Sequence, residues 1–484
     1  MPEIRPVIHI LSLIAASLGV TMAFPMALDL VRGDANWAGF FEAMVVTILG
    51  ASLTAIASHS HQKATLGLRE AWLLTAGIWL VLPAVSALPF IFGEPDISFT
   101  DAYFESVSGF TTTGSTVITH LGDLPQSVLL WRGMLNWMGG LGIAFVAMIF
   151  LPVMRVGGMQ LFRTEGFDTF GKILPRARDI AVSLLQVYAA LTVLCAISFA
   201  ICGQKAIDAI VHAMACVATG GFSNYDASFS EPSLRGASEY VGTIFMLLSA
   251  MPFIRFVQLM RGDARPIWHD LQVRAMLRWF GYASAVVILW RLVNSDAGFE
   301  HVLRTSLFNI ASILTGTGFG SDNVSAWGSF PLMVAFTIGM IGGCSGSSSG
   351  AISVFRWQLF GAVLRAAIRR LYSPNRIAPA QYNGHTLTED VVQPLMLYFT
   401  GYVLVSGISA EAISMTGVDF TSALFAVWTS IGNIGYGIGP LVNRTGTMVD
   451  FNDAATWIMS LNMLLGRLGL LAIFVILLPR FWRD

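Results

Sequence analysis

Apolar residues run through this chain in long blocks rather than in strand-like alternation or narrow helical stripes. Such blocks cover about residues 7–30, 36–58, 71–93, 127–153, 180–202, 238–260, 276–293, 330–371, 389–416 and 452–479. A helix needs about 20 apolar residues to cross a bilayer, so each block predicts a membrane span. The stretch 330–371 is too long for one straight helix. After the third, fifth, seventh and ninth blocks the pattern changes in the same way, in segments ending at Gly114, Gly221, Gly318 and Gly435. Thirteen residues before each glycine stands Asp101, Asp208, Thr305 or Ser422, all of them types that cap helix N-termini. A small residue follows (Ala102, Ala209, Ser306, Ala423), and ten before the glycine come Phe104, Val211, Phe308 and Phe425. Each segment therefore predicts a short capped half-helix that ends in a Gly/Thr turn. The predicted unit is span, half-helix, turn, span, occurring four times, with two spans left over at the N-terminus.

Composition agrees with that pattern. The chain has 484 residues, 55% of them hydrophobic and only 12% charged, with mean hydropathy +0.67. A soluble domain of this size carries more surface charge. The first block lacks a small-residue cleavage site and is read as a retained helix, not a signal peptide. A net charge of −1 gives no bulk attraction for nucleic acid. Cys195, Cys202, Cys216 and Cys344 form no CxxC or Cys/His cluster, which excludes a disulfide frame or zinc site as an expectation. With the N-terminus inside, most Lys and Arg fall on the cytoplasmic side: Arg155, Arg163, Lys172, Arg176 and Arg178; Arg255, Arg261, Arg265, Arg274 and Arg278; Arg356, Arg365, Arg369, Arg370 and Arg376. The positive-inside bias then puts both termini in the cytoplasm and the four turns towards the exterior.

Non-helical backbone survives at membrane depth only where protein or a water-filled cavity satisfies it. The four turns read Thr111-Thr112-Thr113-Gly114, Ala218-Thr219-Gly220-Gly221, Thr315-Gly316-Thr317-Gly318 and Gly432-Asn433-Ile434-Gly435. Each half-helix points its partially negative C-terminal end at its turn, which favours a cation. Glycine admits backbone geometries a Cβ would block, so that carbonyls can face inward. Four copies therefore predict a ring of carbonyls that replaces an ion's hydration shell. The fold class is an all-α polytopic membrane protein, four pseudo-repeats around a central pore plus two N-terminal spans. Its predicted divisions are 1–65, the extra spans, then 66–165, 166–268, 269–380 and 381–484.

The chain resembles bacterial TrkH-type potassium uptake proteins of the superfamily that includes Ktr and fungal Trk transporters. The resemblance is carried by Phe104 to Gly114, Asn136-Trp137-Met138-Gly139-Gly140-Leu141-Gly142, Ala218 to Ser223, Gly342 to Gly346 and Asn462-Met463-Leu464-Leu465-Gly466-Arg467-Leu468. It implies that Thr111, Thr112, Thr113, Gly114, Thr219, Gly220, Gly221, Thr315, Gly316, Thr317, Gly318, Gly432, Asn433, Ile434 and Gly435 coordinate potassium, the substrate. In the superfamily a Ser in place of the first glycine accompanies sodium permeation, whereas here all four are Gly. The resemblance further implies a homodimer with one pore per chain and docking of a cytosolic TrkA-like nucleotide-binding ring. The chain has no GxxxxGK[ST] loop and no cofactor is expected in it. The basic clusters also suit lipid headgroups.

The run Gly342, Gly343, Cys344, Ser345, Gly346, Ser347, Ser348, Ser349, Gly350 cannot hold a regular lipid-facing helix, since each Gly costs about 1 kcal/mol relative to Ala. It is expected to break the eighth span under the third turn, and the resemblance makes it a gate loop; the alternative is a packing seam of small residues. Arg467 lies deep in the last span, where a charge marks function. It is expected beneath the turns, raising the barrier to cations. Relatives often carry Glu two residues later, where this chain has Gly469. Two further departures are Ser249-Ala250-Met251-Pro252-Phe253 in the sixth span and Gly435-Tyr436-Gly437 after the fourth turn. Glu105, His212 and Asn309, nine residues before the first three glycines, are expected to hold the half-helices by hydrogen bonds and not to carry ions. An enzyme is disfavoured, because His59 and His61 lack partnering carboxylates and no HExxH occurs. A proton- or sodium-coupled symporter remains the alternative to a channel-like path.

Overall fold

The computed structural model of the protein describes residues 4–59, 67–145, 177–373, 379–469 and 478–483. Arg155, Arg163, Lys172, Arg176 and Arg376 of the basic clusters, His61, and the ends of the fourth and last apolar blocks lie outside the described residues.

Six helices are long and apolar enough to cross a membrane: Ile4–Arg32, Trp37–Ser58, Arg69–Phe92, Ala181–Ile201, Leu271–Asn294 and Glu389–Met415. They share a bare apolar face. Leu289, Val293, Leu397, Val403, Leu404, Ile408 and Met415 are all exposed, a surface suited to lipid tails and to no aqueous contact. The first two pack on each other ahead of the rest of the chain.

After each of the other four comes a short helix: Phe99–Phe110, Ala206–Val217, Phe299–Thr315 and Phe420–Gly432. Most side chains of the short helices are buried. The helices after turns 2 and 3 are different in kind, because they are broken, whereas Gln126–Phe145 after turn 1 is one continuous helix. Ala237–Ser249 and Phe253–Met260 meet at 93°, which corrects the expectation of a single span over 238–260. Pro252 has no N–H to continue the ladder and starts the second piece. Likewise Ser329–Gly339 and Val354–Tyr372 are separated by the Gly/Ser run, and Asp453–Leu468 stops at Gly469 with φ 80°. Beside two smaller clusters, around Phe355–Leu395 and around Ile352, Tyr402 and Leu465, two large hydrophobic cores result. One joins side chains from Ala144 to Ile438, mainly of the middle of the chain; the other joins the N-terminal part to residues 413–468. The four turns lie where these cores meet.

The caps also differ from expectation. Ser98 and Asp419 accept the N–H of Asp101 and Ser422, so the residues expected as caps sit in the first turn. That bond to Ser422 holds the Asp419 carboxyl below its ordinary pKa. The second helix begins after Lys205. Thr305 falls well inside the third, which starts after Gly298.

Candidate functional site: a closed ring of four turns

All four turns use one backbone recipe. The residue before each glycine donates its N–H to the carbonyl five residues earlier: Thr113 to Ser108 at 2.8 Å, Gly220 to Ala215 at 2.8 Å, Thr317 to Ser312 at 2.8 Å and Ile434 to Thr429 at 2.9 Å. This closes the helix end in the manner of a Schellman cap. Two residues before each glycine the backbone is left-handed, with φ 50° at Thr112, 51° at Thr219, 67° at Gly316 and 49° at Asn433. The glycines themselves have φ 85°, 70°, 88° and 80°. A β-branched residue in this region is a true outlier, so Thr112 and Thr219 each store roughly 1–3 kcal/mol of strain.

The glycines define how the turns meet. A Cβ on Gly114 would run into the carbonyl oxygen of Gly220, and one on Gly221 into that of Thr317. One on Gly318 would meet the carbonyl of Ile434, and one on Gly435 that of Thr113. The contacts pass from turn 1 to 2, 2 to 3, 3 to 4 and back to 1, so the ring is closed about a common axis. All four glycines line a single cavity of about 280 Å³, together with Ser115, Thr116, Asp226 and Asp322.

Polar side chains behind the ring fix the returning strand of three turns. Nine residues before the glycine, Glu105, His212 and Asn309 accept the backbone N–H three residues after it. The pairs are Val117 to Glu105 at 3.1 Å, Asn224 to His212 at 3.4 Å and Ser321 to Asn309 at 3.2 Å. Sequence reasoning missed the partner that Glu105 needs: Arg132, 2.8 Å away and fully buried with it. Arg132 also donates to the carbonyl of Ser223 at 2.8 Å and lies 4.2 Å over the Phe222 ring, binding turn 1 to turn 2. Removing one member of such a pair leaves a buried charge, at a cost of about 3–5 kcal/mol. Arg291 plays a comparable part, pairing with Asp322 at 2.8 Å and stacking 4.0 Å over Trp327. A charge inside an apolar block was the available signal for both.

The opposite side of the ring is occupied. The Ser349 hydroxyl donates to the Thr315 carbonyl at 2.6 Å, Ser348 donates to the Val217 carbonyl at 3.2 Å, and the Ala351 N–H reaches Gly432 at 2.8 Å. Thr219 donates to Ser348 at 3.1 Å. The Gly/Ser run thus touches turns 2, 3 and 4. Arg467 serves turn 1, donating to the Thr111 carbonyl at 2.6 Å and to the Thr112 hydroxyl. A cavity of about 70 Å³ below is lined by Ser345, Gly346, Ser347, Ser349, Gly350 and Arg467, among others. The first part of the run leans elsewhere: Cys344 donates its N–H to Ala250 and its Sγ faces Met276 at 3.8 Å, while Gly346 accepts from Phe253. Gly342 packs on Gly350 at the neck of the run, and the Gly343 N–H donates to the Ser349 hydroxyl. Gly346 to Gly350 has the spacing of a nucleophile elbow, yet Ser348 spends its hydroxyl on Val217 and Thr219.

Side-chain oxygens near the axis are mostly turned back on the protein. Thr111 and Thr113 share a hydrogen bond at 2.7 Å, as do Thr315 and Thr317. Asn433 donates to the Thr113 hydroxyl at 2.9 Å and to the Met463 carbonyl at 3.0 Å. Among the described residues no group of three His, Cys, Asp or Glu comes together. Backbone carbonyls are the oxygens this ring offers a cation.

Membrane-crossing helices, four in-turned segments and a carbonyl-edged ring of this kind define a membrane transport protein for cations. Comparison with known proteins is specific. The family model described as TrkH, cation transport protein, matches residues 38–482. The Trk system potassium uptake protein TrkI of Halomonas elongata is 34% identical over 99% of this chain and 97% of its own length. The Trk system potassium uptake protein TrkH of Escherichia coli is 34% identical over 99% of both chains. The crystal structure of the potassium transporter TrkH from Vibrio parahaemolyticus superposes with a TM-score of 0.91, at 32% identity, covering 99% of this chain and 100% of that one. The chain belongs to the TrkH family of cation transport proteins, and it is a transporter, not an enzyme.

Proposed function

We propose that this protein takes potassium up across the bacterial cytoplasmic membrane through a pore centred on the ring, with four pseudo-repeats of about 66–165, 166–268, 269–380 and 381–484 and two additional N-terminal spans. The observation that carries the reading is the cyclic contact of each glycine with the next turn's carbonyl. It brings backbone oxygens from four segments of one chain around one axis, and four half-helix C-termini add partial negative charge there. Such oxygens stand in for water around a potassium ion. Thr111 to Gly114, Thr219 to Gly221, Thr315 to Gly318 and Gly432 to Gly435 form the selectivity filter. The run Gly342–Gly350, hydrogen-bonded to turns 2 and 3, and Arg467, hydrogen-bonded to the first, together form the gate. Its opening is governed by a cytosolic nucleotide-binding ring of the Trk system acting on a homodimer, with both termini in the cytoplasm.

The test is rubidium and potassium flux in proteoliposomes. Uptake driven by a potassium gradient alone, with reversal potentials that exclude sodium, is the expected result. Flux that requires an imposed proton or sodium gradient favours the symporter reading, and equal permeation of sodium and potassium overturns the filter assignment.

A further inference from the structure

The three struts behind the ring have no counterpart in the fourth quarter. The residue equivalent to Glu105, His212 and Asn309 is Ala426, whose methyl group can accept no hydrogen bond. Something else must hold turn 4, and a different residue is placed to do so. Tyr436, directly after Gly435, is buried, with its hydroxyl oxygen 2.8 Å from Asn309 Oδ1 and 2.9 Å from the Asp322 carbonyl. One phenolic proton serves these two acceptors. The same Asn309 oxygen already receives the Ser321 N–H, while its Nδ2 donates to the Thr305 carbonyl at 2.7 Å and the Ser321 hydroxyl at 3.0 Å. The amide is therefore locked in orientation from both ends, and two adjacent turns hang from its one oxygen. The corresponding positions after the other glycines are Ser115, Phe222 and Phe319. Phe222 lies under Arg132, and Phe319 packs among Phe229, Phe308 and His212. Only turn 4 carries a phenol there.

We infer that the Tyr436 hydroxyl is a specificity-determining positioning group, which replaces the missing strut at Ala426 and sets the carbonyls of turn 4 at the radius the other three turns hold. It touches no ion itself; it acts through the backbone of Gly435 and Ile434. A flexible turn 4 contracts around a smaller ion, so losing the tether lowers discrimination against sodium. The mechanism rests on the filter reading of the ring.

The experiment is the potassium-to-sodium permeability ratio, from reversal potentials, of the wild-type protein and of Tyr436→Phe, which keeps the ring and removes only the hydroxyl. The ratio is expected to fall about three- to tenfold, the range one buried hydrogen bond spans, with potassium flux retained and the melting transition of the purified protein lowered only slightly. Paired with Asn309→Val, the double variant is expected to be no less selective than Asn309→Val alone, because both remove the same contact. A Tyr436→Phe protein as selective as wild type, whether or not its melting point falls, overturns the inference. Should that variant reach the membrane poorly, an unaltered ratio in Asn309→Val overturns it equally. A wild-type protein that fails to distinguish potassium from sodium instead removes the filter reading, so the two failures are told apart.

Discussion

Glycine at the end of each turn is required twice over. Its φ lies between 70° and 88°, and its α-carbon abuts a neighbouring carbonyl. Gly114→Ser therefore introduces both backbone strain and a displaced Gly220 oxygen. With roughly 1–3 kcal/mol at stake, and 1.4 kcal/mol equivalent to tenfold, we expect the potassium-to-sodium permeability ratio to fall about tenfold. Reversal potentials check this, and an unchanged ratio would show that the carbonyl of turn 2 takes no part in discrimination. The four glycines and their Thr neighbours were legible in the sequence because only such residues recur at matched positions after a half-helix. The left-handed Thr112 and Thr219 were not, since that conformation is intrinsically disfavoured for threonine and exists only because the ring over-determines it. Glu105, His212 and Asn309 were correctly seen as holding groups, but their acceptor role towards Val117, Asn224 and Ser321 depends on the path the chain takes after the turn. No local pattern encodes that path.

At the scale of elements, the contrast between straight and broken helices follows from residue content. The six spans carry only single prolines or one-residue turns, as at Pro83 and Met22, whereas Pro252 and the run Gly342–Gly350 interrupt the helices that follow turns 2 and 3. Hydropathy alone reads straight through the Ser249–Phe253 bend, because Ala, Met, Pro and Phe keep the block apolar while Pro252 redirects it. The Gly/Ser run, by contrast, announces its own break. Its hydrogen bonds to Thr315, Val217 and Thr219 are few and uncharged, each contributing about 0.5–1.5 kcal/mol, a scale suited to reversible release. Deleting part of Gly346–Gly350 is expected to raise basal rubidium flux in proteoliposomes severalfold. Flux that falls or stays level would mark the run as packing.

The whole molecule joins two cores across the ring, one from the middle of the chain and one from its two ends. The cores meet at the turns, along the packed helices Gln126–Phe145 and Ala206–Val217, and at bridges such as Arg132 to Ser223. An ion bound on the axis touches both halves and stabilises the folded state by mass action. At a hundredfold excess over its dissociation constant the gain is about 2.7 kcal/mol. We expect the melting temperature of the detergent-solubilised protein to climb with potassium concentration and much less with sodium at equal ionic strength. Identical curves for the two salts would mean that no selective site bridges the cores. Of the ten apolar blocks, hydropathy marked the six helices long and apolar enough to span, but the division into two main cores was not readable, because it depends on which distant helices pack side by side.

Because the ring is closed by four unlike segments of one polypeptide, a single codon change alters one quadrant and leaves three as they were. A symmetric tetramer has no such option: every substitution there arrives in quadruplicate. Ser115, Phe222, Phe319 and Tyr436 occupy equivalent stations with unrelated side chains, and that divergence is what independent adjustment of each quadrant permits.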